Sequence, residues 1–249
     1  MNRPEFLDFE GMINVRGLGG LPVSGGRRIR SGVLLRSAHL GMATDKDLQR
    51  LRQLGLKYVV DFRDIDEAAH SPDRDVIGAE HVALPVLDPE RVRVMSTVTP
   101  LSAEQVAEHF RDIYRYMALA ERARQGYRKF FSVLLDARGG AVLWHCTQGK
   151  NRTGIGALLL LAALGADSRD ALADYYLSNR GLLSEYRRVT ALGDAAQTAM
   201  AKKVFFVHGS FLRAWLDEVE ALGGTSEFLH SAIGLTDGEV RQLREFYTE

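Results

Sequence analysis

Residues 145–154 read His-Cys-Thr-Gln-Gly-Lys-Asn-Arg-Thr-Gly and contain the chain's one cysteine, Cys146, six positions before Arg152. The apolar run Ala141-Val142-Leu143-Trp144 precedes them and Ile155 to Leu161 follows, so a strand-type segment is joined here to an apolar helix. A helix N-terminus presents unpaired N–H groups and a partial positive charge, and a loop wrapped over it can bind a tetrahedral dianion. Thr147, Gln148, Gly149, Lys150, Asn151, Arg152 and Thr153 are the residues of such a phosphate-binding loop. Gly149 and Gly154 let the backbone approach the anion closely. The planar fork of Arg152 grips two phosphoryl oxygens at once, which lysine cannot do. The same field lowers a thiol into the range of about 3.5–7.5 known for activated cysteines, which makes Cys146 the attacking thiolate. Thr153 is placed to donate a hydrogen bond to that sulfur and make it a better leaving group when a phosphocysteine is hydrolysed. His145 reads as a residue that orients the loop rather than as a base, and Lys150 as extra positive charge for the anion.

The elements that must position this loop alternate between strand and helix. Gly32 to Leu35, Lys57 to Val60, His81 to Leu84 and Ala141 to His145 have strand character. Thr44-x-x-Asp47 caps a helix through Leu54 that stops at Gly55. The pattern implies an α/β fold with a mixed central sheet and helices on both faces. Val106, Phe110, Ile113, Tyr114 and Met117 recur at helical spacing, and a second helix runs from about Glu121 to Leu135. This helical insert, about 101–136, either packs on the core or forms a lid that excludes water and protects the thiolate from oxidation. Helices opening at Asp167, running from Phe211 to Leu222, and boxed by Thr236-x-x-Glu239 read as scaffold.

Composition bounds the rest. The 249 residues, 46% of them hydrophobic, suffice for one sizeable core, and one domain over 1–249 is the expectation. Equal numbers of basic and acidic residues, 32 each, and no basic run give nucleic acid no foothold. A lone cysteine excludes an intrachain disulfide. Met1 to Phe6 lacks an apolar signal core, and the longest apolar stretch is too short to span a bilayer, so a cytoplasm-compatible protein is expected. No His/Cys cluster of metal spacing is visible, and neither a metal nor an organic cofactor is expected.

The run His145-Cys146-x-x-Gly149-Lys150-x-Arg152-Thr153-Gly154 resembles the HCxxGxxR[ST]G signature of the cysteine-dependent protein tyrosine phosphatase superfamily. Further segments are similar to its bacterial protein tyrosine phosphatase B and lipid-phosphatase-like branch: Asn14-Val15-Arg16-Gly17-Leu18-Gly19-Gly20, Leu35-Arg36-Ser37, Val60-Asp61-Phe62-Arg63 with Glu67, and Ala173 to Asn179. The resemblance implies the phosphatase's central mixed sheet flanked by helices with a helical lid insert, and a phosphorylated protein or phosphoinositide as substrate. It also allows export without a classical signal peptide. Two positions depart from the branch pattern: Asn151 stands where its loop has aspartate, and Gly17 replaces the aspartate of its opening motif. Asn151 cannot exchange a proton, so any acid/base role there passes to another group or is lost.

Expelling a tyrosine or alkyl oxygen calls for an acid, a contribution of about two to four orders of magnitude. Asp61, at the end of a strand where ligands of α/β folds bind, and Asp88, in the loop where the resemblance implies a movable acid, are the two candidates. Arg63 and Glu67 read as a structural ion pair. The expected activity is hydrolysis of phosphotyrosine, with phosphoserine, phosphothreonine or phosphoinositides as further substrates, through a phosphocysteine. The competing readings are a phosphate-recognising pseudophosphatase that binds without turnover, and a sulfur-transfer or arsenate-reducing enzyme, which would call for cysteines this chain lacks.

Overall fold

The computed structural model describes residues 6–93 and 102–249. Residue 101, where the predicted insert begins, and residues 1–5 of the N-terminal segment lie outside the described residues. In chain order the elements are β1 (Arg16–Gly17), β2 (Leu34–Ser37), α1 (Asp45–Gln53), β3 (Leu56–Asp61), α2 (Ile65–His70), β4 (Glu80–Ala83) and α3 (Pro89–Arg93). Then come α4 (Ala103–Leu119), α5 (Glu121–Ala137), β5 (Ala141–His145), α6 (Asn151–Leu164), α7 (Ser168–Gly181), α8 (Leu183–Thr190) and α9 (Ala195–Phe205). The chain closes with α10 (Gly209–Ala221), α11 (Gly224–Glu227), a π-helical turn over Phe228–Ala232, and α12 (Asp237–Tyr247).

The five strands lie in the order β1-β2-β5-β3-β4. Only β1 runs antiparallel to its neighbour, which makes the sheet mixed, as the sequence pattern implies. β5 occupies the centre and is buried at every residue, which explains its unbroken apolar sequence. Its side chains alternate between two cores. Val142 and Trp144 point to the face covered by α4, α5, α6 and α10, while Ala141 and Leu143 join Leu51 of α1 and Val59 on the other. Each fully buried side chain of this size contributes about 1.5–3 kcal/mol, so both faces hold β5 firmly and fix where its C-terminal end delivers the next residue.

The predicted elements recur with shifted ends. β2 begins two residues later than expected because Gly32 turns in the left-handed region, φ 77°. α6 begins at Asn151 rather than Ile155, since the last four signature residues already form its first turn. The five apolar residues expected on one face of α4 are all buried, and Phe110 stacks on Phe211 of α10 with ring centroids 5.2 Å apart. α2, α8 and α9 have no counterpart in the sequence reading; α2 is set by a capping box between Asp64 and Glu67.

Candidate active site

β5 ends at His145 and α6 starts at Asn151, so Cys146 to Lys150 make the turn at the carboxyl end of the central strand. No side chain caps the N-terminus of α6, which leaves its first N–H groups for an anion. Gly149 has φ 66°, and a Cβ there would lie 2.1 Å from the Ser37 carbonyl oxygen, so only glycine fits. Gly154 serves differently from expectation. It is one turn into α6, and its missing side chain makes room for the ring of Tyr175, 3.3 Å from an ideal Cβ, rather than for an anion.

Cys146, Thr147, Gln148, Lys150, Asn151 and Arg152 line one cavity of about 210 Å³, with Glu67, Leu87, Phe110 and Val204 among its walls. A larger apolar cavity of about 400 Å³ between α6, α7, α10 and α12 includes no residue of this loop. Cys146 is 2% exposed. Burial pushes its thiol up, but the Arg152 guanidinium and the Thr153 hydroxyl and N–H outweigh burial, so it ionises below its ordinary value. Thr153 Oγ1 is buried and has no other hydrogen-bond partner among the described residues.

Arg152 is held by Glu67, and this corrects the expected Arg63–Glu67 pair. Glu67 Oε1 accepts from Arg152 Nη2 at 2.8 Å, Oε2 accepts from Nη1, and the Thr147 hydroxyl donates to Oε1. Although burial raises it, the charge of Arg152 and these hydrogen bonds bring the Glu67 carboxyl down to about 2. Arg63 instead pairs with Asp61 at 2.8 Å and Asp73 at 2.7 Å.

The structure therefore does not bring Asp61 to the cavity. It closes β3 beside His145 as expected, but both its oxygens accept from Arg63, and its side chain is 14% exposed. Asp88 follows the cavity residue Leu87, is half exposed, and accepts from the Tyr116 hydroxyl at 2.6 Å. His145 is wholly buried and ion-paired with Asp73 at 3.1 Å. Burial disfavours its charged form, but Asp73 and Asp61 prevail and raise it. Asp61, Asp73 and His145 form a cluster of metal-like spacing that the linear sequence hides, with donor atoms within 4.8 Å of one another. The guanidinium of Arg63 already supplies positive charge to both carboxylates there.

Lys150 is almost fully buried. Its ammonium donates to the Val204 carbonyl of α9 and lies 4.9 Å from the centre of the Phe110 ring. Burial lowers it to about 7. Asn151 Oδ1 accepts from the Tyr114 hydroxyl at 3.0 Å, and Tyr175 lies 2.8 Å behind Tyr114.

Beneath the loop lies a buried charged scaffold that the sequence reading passed over. Asn14 Nδ2 donates to the carbonyls of Gln148 and Gly149 at 2.9 and 3.1 Å, and Arg36 donates to Gly149 O at 2.9 Å. Arg16 pairs with Asp174 Oδ1 at 2.7 Å, and Arg36 with Oδ2. Arg16 also donates to Asn14 Oδ1 at 2.6 Å. The signal was present: Asn14-Val15-Arg16, Leu35-Arg36-Ser37 and the segment around Asp174 each carry charged or amide residues inside apolar surroundings.

A strand–loop–helix turn with a cysteine of lowered pKa facing an arginine across a small cavity defines a cysteine-based phosphate-ester site. A family model described as "Tyrosine phosphatase family" matches residues 7–249, and the chain belongs to that family. A Cupriavidus necator chain provisionally named tyrosine-protein phosphatase is 36% identical over 251 residues, covering 97% of this chain and 88% of that one. A Nostoc commune tyrosine-protein phosphatase is 29% identical over 87% of this chain and 74% of its own. The Mycobacterium tuberculosis triple specificity protein phosphatase PtpB is 27% identical, covering 82% of this chain and 80% of that one.

Proposed function

We propose that the protein hydrolyses phosphotyrosine through a phosphocysteine, with Cys146 as nucleophile. The observation that carries this reading is the single cavity shared by Cys146 and Arg152 at the uncapped N-terminus of α6, with the thiol lowered by that arginine. The phosphoryl oxygens sit on Arg152 and the loop N–H groups from Thr147 to Thr153. Among the described residues, Arg152 makes its hydrogen bonds through Nη1 and Nη2, which leaves Nε to donate to the phosphoryl group. Glu67 sets the plane of the guanidinium, and His145 with Asp73 anchors the strand end below. Cys146 attacks in line, the leaving oxygen departs on the open side, and water then frees the phosphate.

In this reading residues 1–249 work as one phosphatase unit, and the 101–136 insert acts as a wall: Phe110 and Ile113 of α4 line the cavity while Val106, Tyr114 and Met117 are buried in the core. For Asp61 or Asp88 to protonate the leaving oxygen, each would have to give up its present partner, Arg63 or Tyr116. A phosphorylated protein is the partner class. The phosphoinositide expectation rested on Lys150, whose ammonium is engaged by Val204 and Phe110. No helix among the described residues is long and apolar enough to cross a membrane.

The test is hydrolysis of para-nitrophenyl phosphate without added metal, over about pH 4.5 to 8, by wild type and Cys146→Ser. Turnover in wild type that vanishes in the variant supports the reading. Equal turnover in both overturns it, and vanadate binding without any turnover would favour a pseudophosphatase.

A further inference from the structure

Asn14, just before β1, has a left-handed backbone, φ 57°, and is 3% exposed. Among the described residues Arg138 is the other non-glycine in that conformation, and it sits exposed at the end of α5. Asparagine and glycine accept such a φ at little cost. The orientation of the Asn14 amide is determined by its neighbour, because a guanidinium can only donate. Arg16 Nη1 donates to Oδ1 at 2.6 Å, so the amide hydrogens lie on the other side. They go to the Gln148 carbonyl at 2.9 Å and the Gly149 carbonyl at 3.1 Å. At the end of α7 a Cβ on Gly181 would stand 2.2 Å from Oδ1, so this glycine leaves the amide its place.

These two carbonyls belong to planar trans peptides, in which a C=O and the following N–H point in opposite directions. Drawing the Gln148 and Gly149 carbonyls onto Asn14 therefore turns the N–H groups of Gly149 and Lys150 the other way. Arg36 Nη2, which donates to the Gly149 carbonyl at 2.9 Å, reinforces the second of these peptides. Neither N–H donates to another group among the described residues, and Gln148, Lys150 and Asn151 line the cavity with Cys146.

We infer that Asn14 is a positioning residue for the reaction: it orients two peptides of the loop so that the Gly149 and Lys150 N–H groups meet the phosphoryl oxygens. Arg16 holds the amide from behind and is itself held by Asp174 at 2.7 Å. The inference rests on the phosphocysteine reading above and assigns the aim of its anion-binding N–H groups to a side chain from another part of the chain. Donors fixed in place beforehand stabilise developing charge without reorganising during the reaction. The amide does this without placing a negative charge beneath the thiolate, as a carboxylate at position 14 would.

The test is NMR of the backbone amides of the whole, isotope-labelled chain titrated with inorganic phosphate, with kcat and KM for para-nitrophenyl phosphate measured on the same preparations. Wild type, Asn14→Gly and Asn14→Asp are compared. Glycine accepts the left-handed backbone but has no amide, and ionised aspartate keeps the shape but has no hydrogen to give. In wild type the Gly149 and Lys150 amide protons should move downfield as phosphate binds, the signature of a hydrogen bond to the anion. In Asn14→Gly those shifts are lost, phosphate binds at least about 10-fold more weakly, and kcat falls by about 100-fold. Asn14→Asp loses at least as much. A residue that served the backbone conformation alone would be replaced by glycine without these losses. Gly149 and Lys150 amides that do not respond in wild type, or an Asn14→Gly chain with wild-type shifts, affinity and kcat, overturn the inference. Urea midpoints are recorded for each variant, and a fall in kcat that follows lost stability while the amide shifts persist overturns it too. Wild type that binds phosphate through these amides yet hydrolyses no para-nitrophenyl phosphate sinks the phosphatase reading and leaves the loop geometry standing. Cys146-dependent turnover with unresponsive amides sinks the role of Asn14 alone.

Discussion

Glu67 and Arg152 meet as a two-point pair across the mouth of the signature loop, the carboxylate of a short helix holding the guanidinium of a long one. The pair fixes an arginine that would otherwise sample many rotamers, and it does so inside a cavity where misplacement is costly. Glu67 also opposes the thiolate, since its negative charge raises Cys146 while Arg152 lowers it.

Glu67→Gln should therefore slow the enzyme and make the thiol more acidic at once. Loss of the fixed guanidinium geometry is expected to cost about 100-fold in kcat/KM on an aryl phosphate. Removing the negative charge should move the alkylation midpoint of Cys146 downward. Iodoacetamide kinetics against pH check this, and an unchanged or raised midpoint would refute the role given to Glu67.

In wild type the same alkylation should show a midpoint below the about 8.5 of an ordinary cysteine. With Arg152→Ala the midpoint is expected to rise, because burial then acts with less opposition. A wild-type midpoint at or above the ordinary value would remove the thiolate from the mechanism.

Asp174 lies between Arg16 and Arg36 with no access to water. Burial raises its carboxyl, and the two guanidiniums more than reverse this. Asp174→Asn leaves two buried cations short of a counter-charge and is expected to cost about 3–5 kcal/mol in urea unfolding. A loss of under about 1 kcal/mol, the size of an exposed pair, would mean that the scaffold does not act as a unit.

His145 is raised above its ordinary value by Asp73 and Asp61 against the opposing effect of burial. A group raised on folding stabilises fully below its unfolded pKa and loses that contribution as pH climbs through the folded one. The stability advantage of wild type over His145→Gln should thus be fully present below about pH 6.5 and shrink as the pH rises above it through the raised folded-state value. Urea midpoints across that range test it, and an advantage that grows with pH would contradict the ion pair.

Gly149→Ala should disable the loop outright, because the backbone is left-handed there and the Ser37 carbonyl stands 2.1 Å from the added carbon. Loss of both vanadate binding and turnover, with the circular dichroism of the sheet and helices retained, is the expected outcome. Full activity would show that the loop has another conformation.

The linear sequence determined the chemistry of the loop, because a nucleophile, an arginine six residues on and the glycine between them are local in the chain. It also determined the central strand and most helices, since apolar periodicity and capping boxes such as Thr44 with Asp47 and Thr236 with Glu239 act over a few residues. What it could not decide was who pairs with whom. Arg63 and Glu67 are four positions apart and read as partners, yet each is drawn to a charge brought by another segment: Asp73 for the one, Arg152 for the other. The same holds for Asp61, aimed at the right edge of the sheet but claimed by Arg63, and for Asn151, whose amide meets a tyrosine 37 residues away. Buried charges must find partners wherever folding places them, because leaving one unpaired in a low-dielectric interior costs more than any local preference supplies. Tertiary structure alone therefore decides the electrostatics of this site.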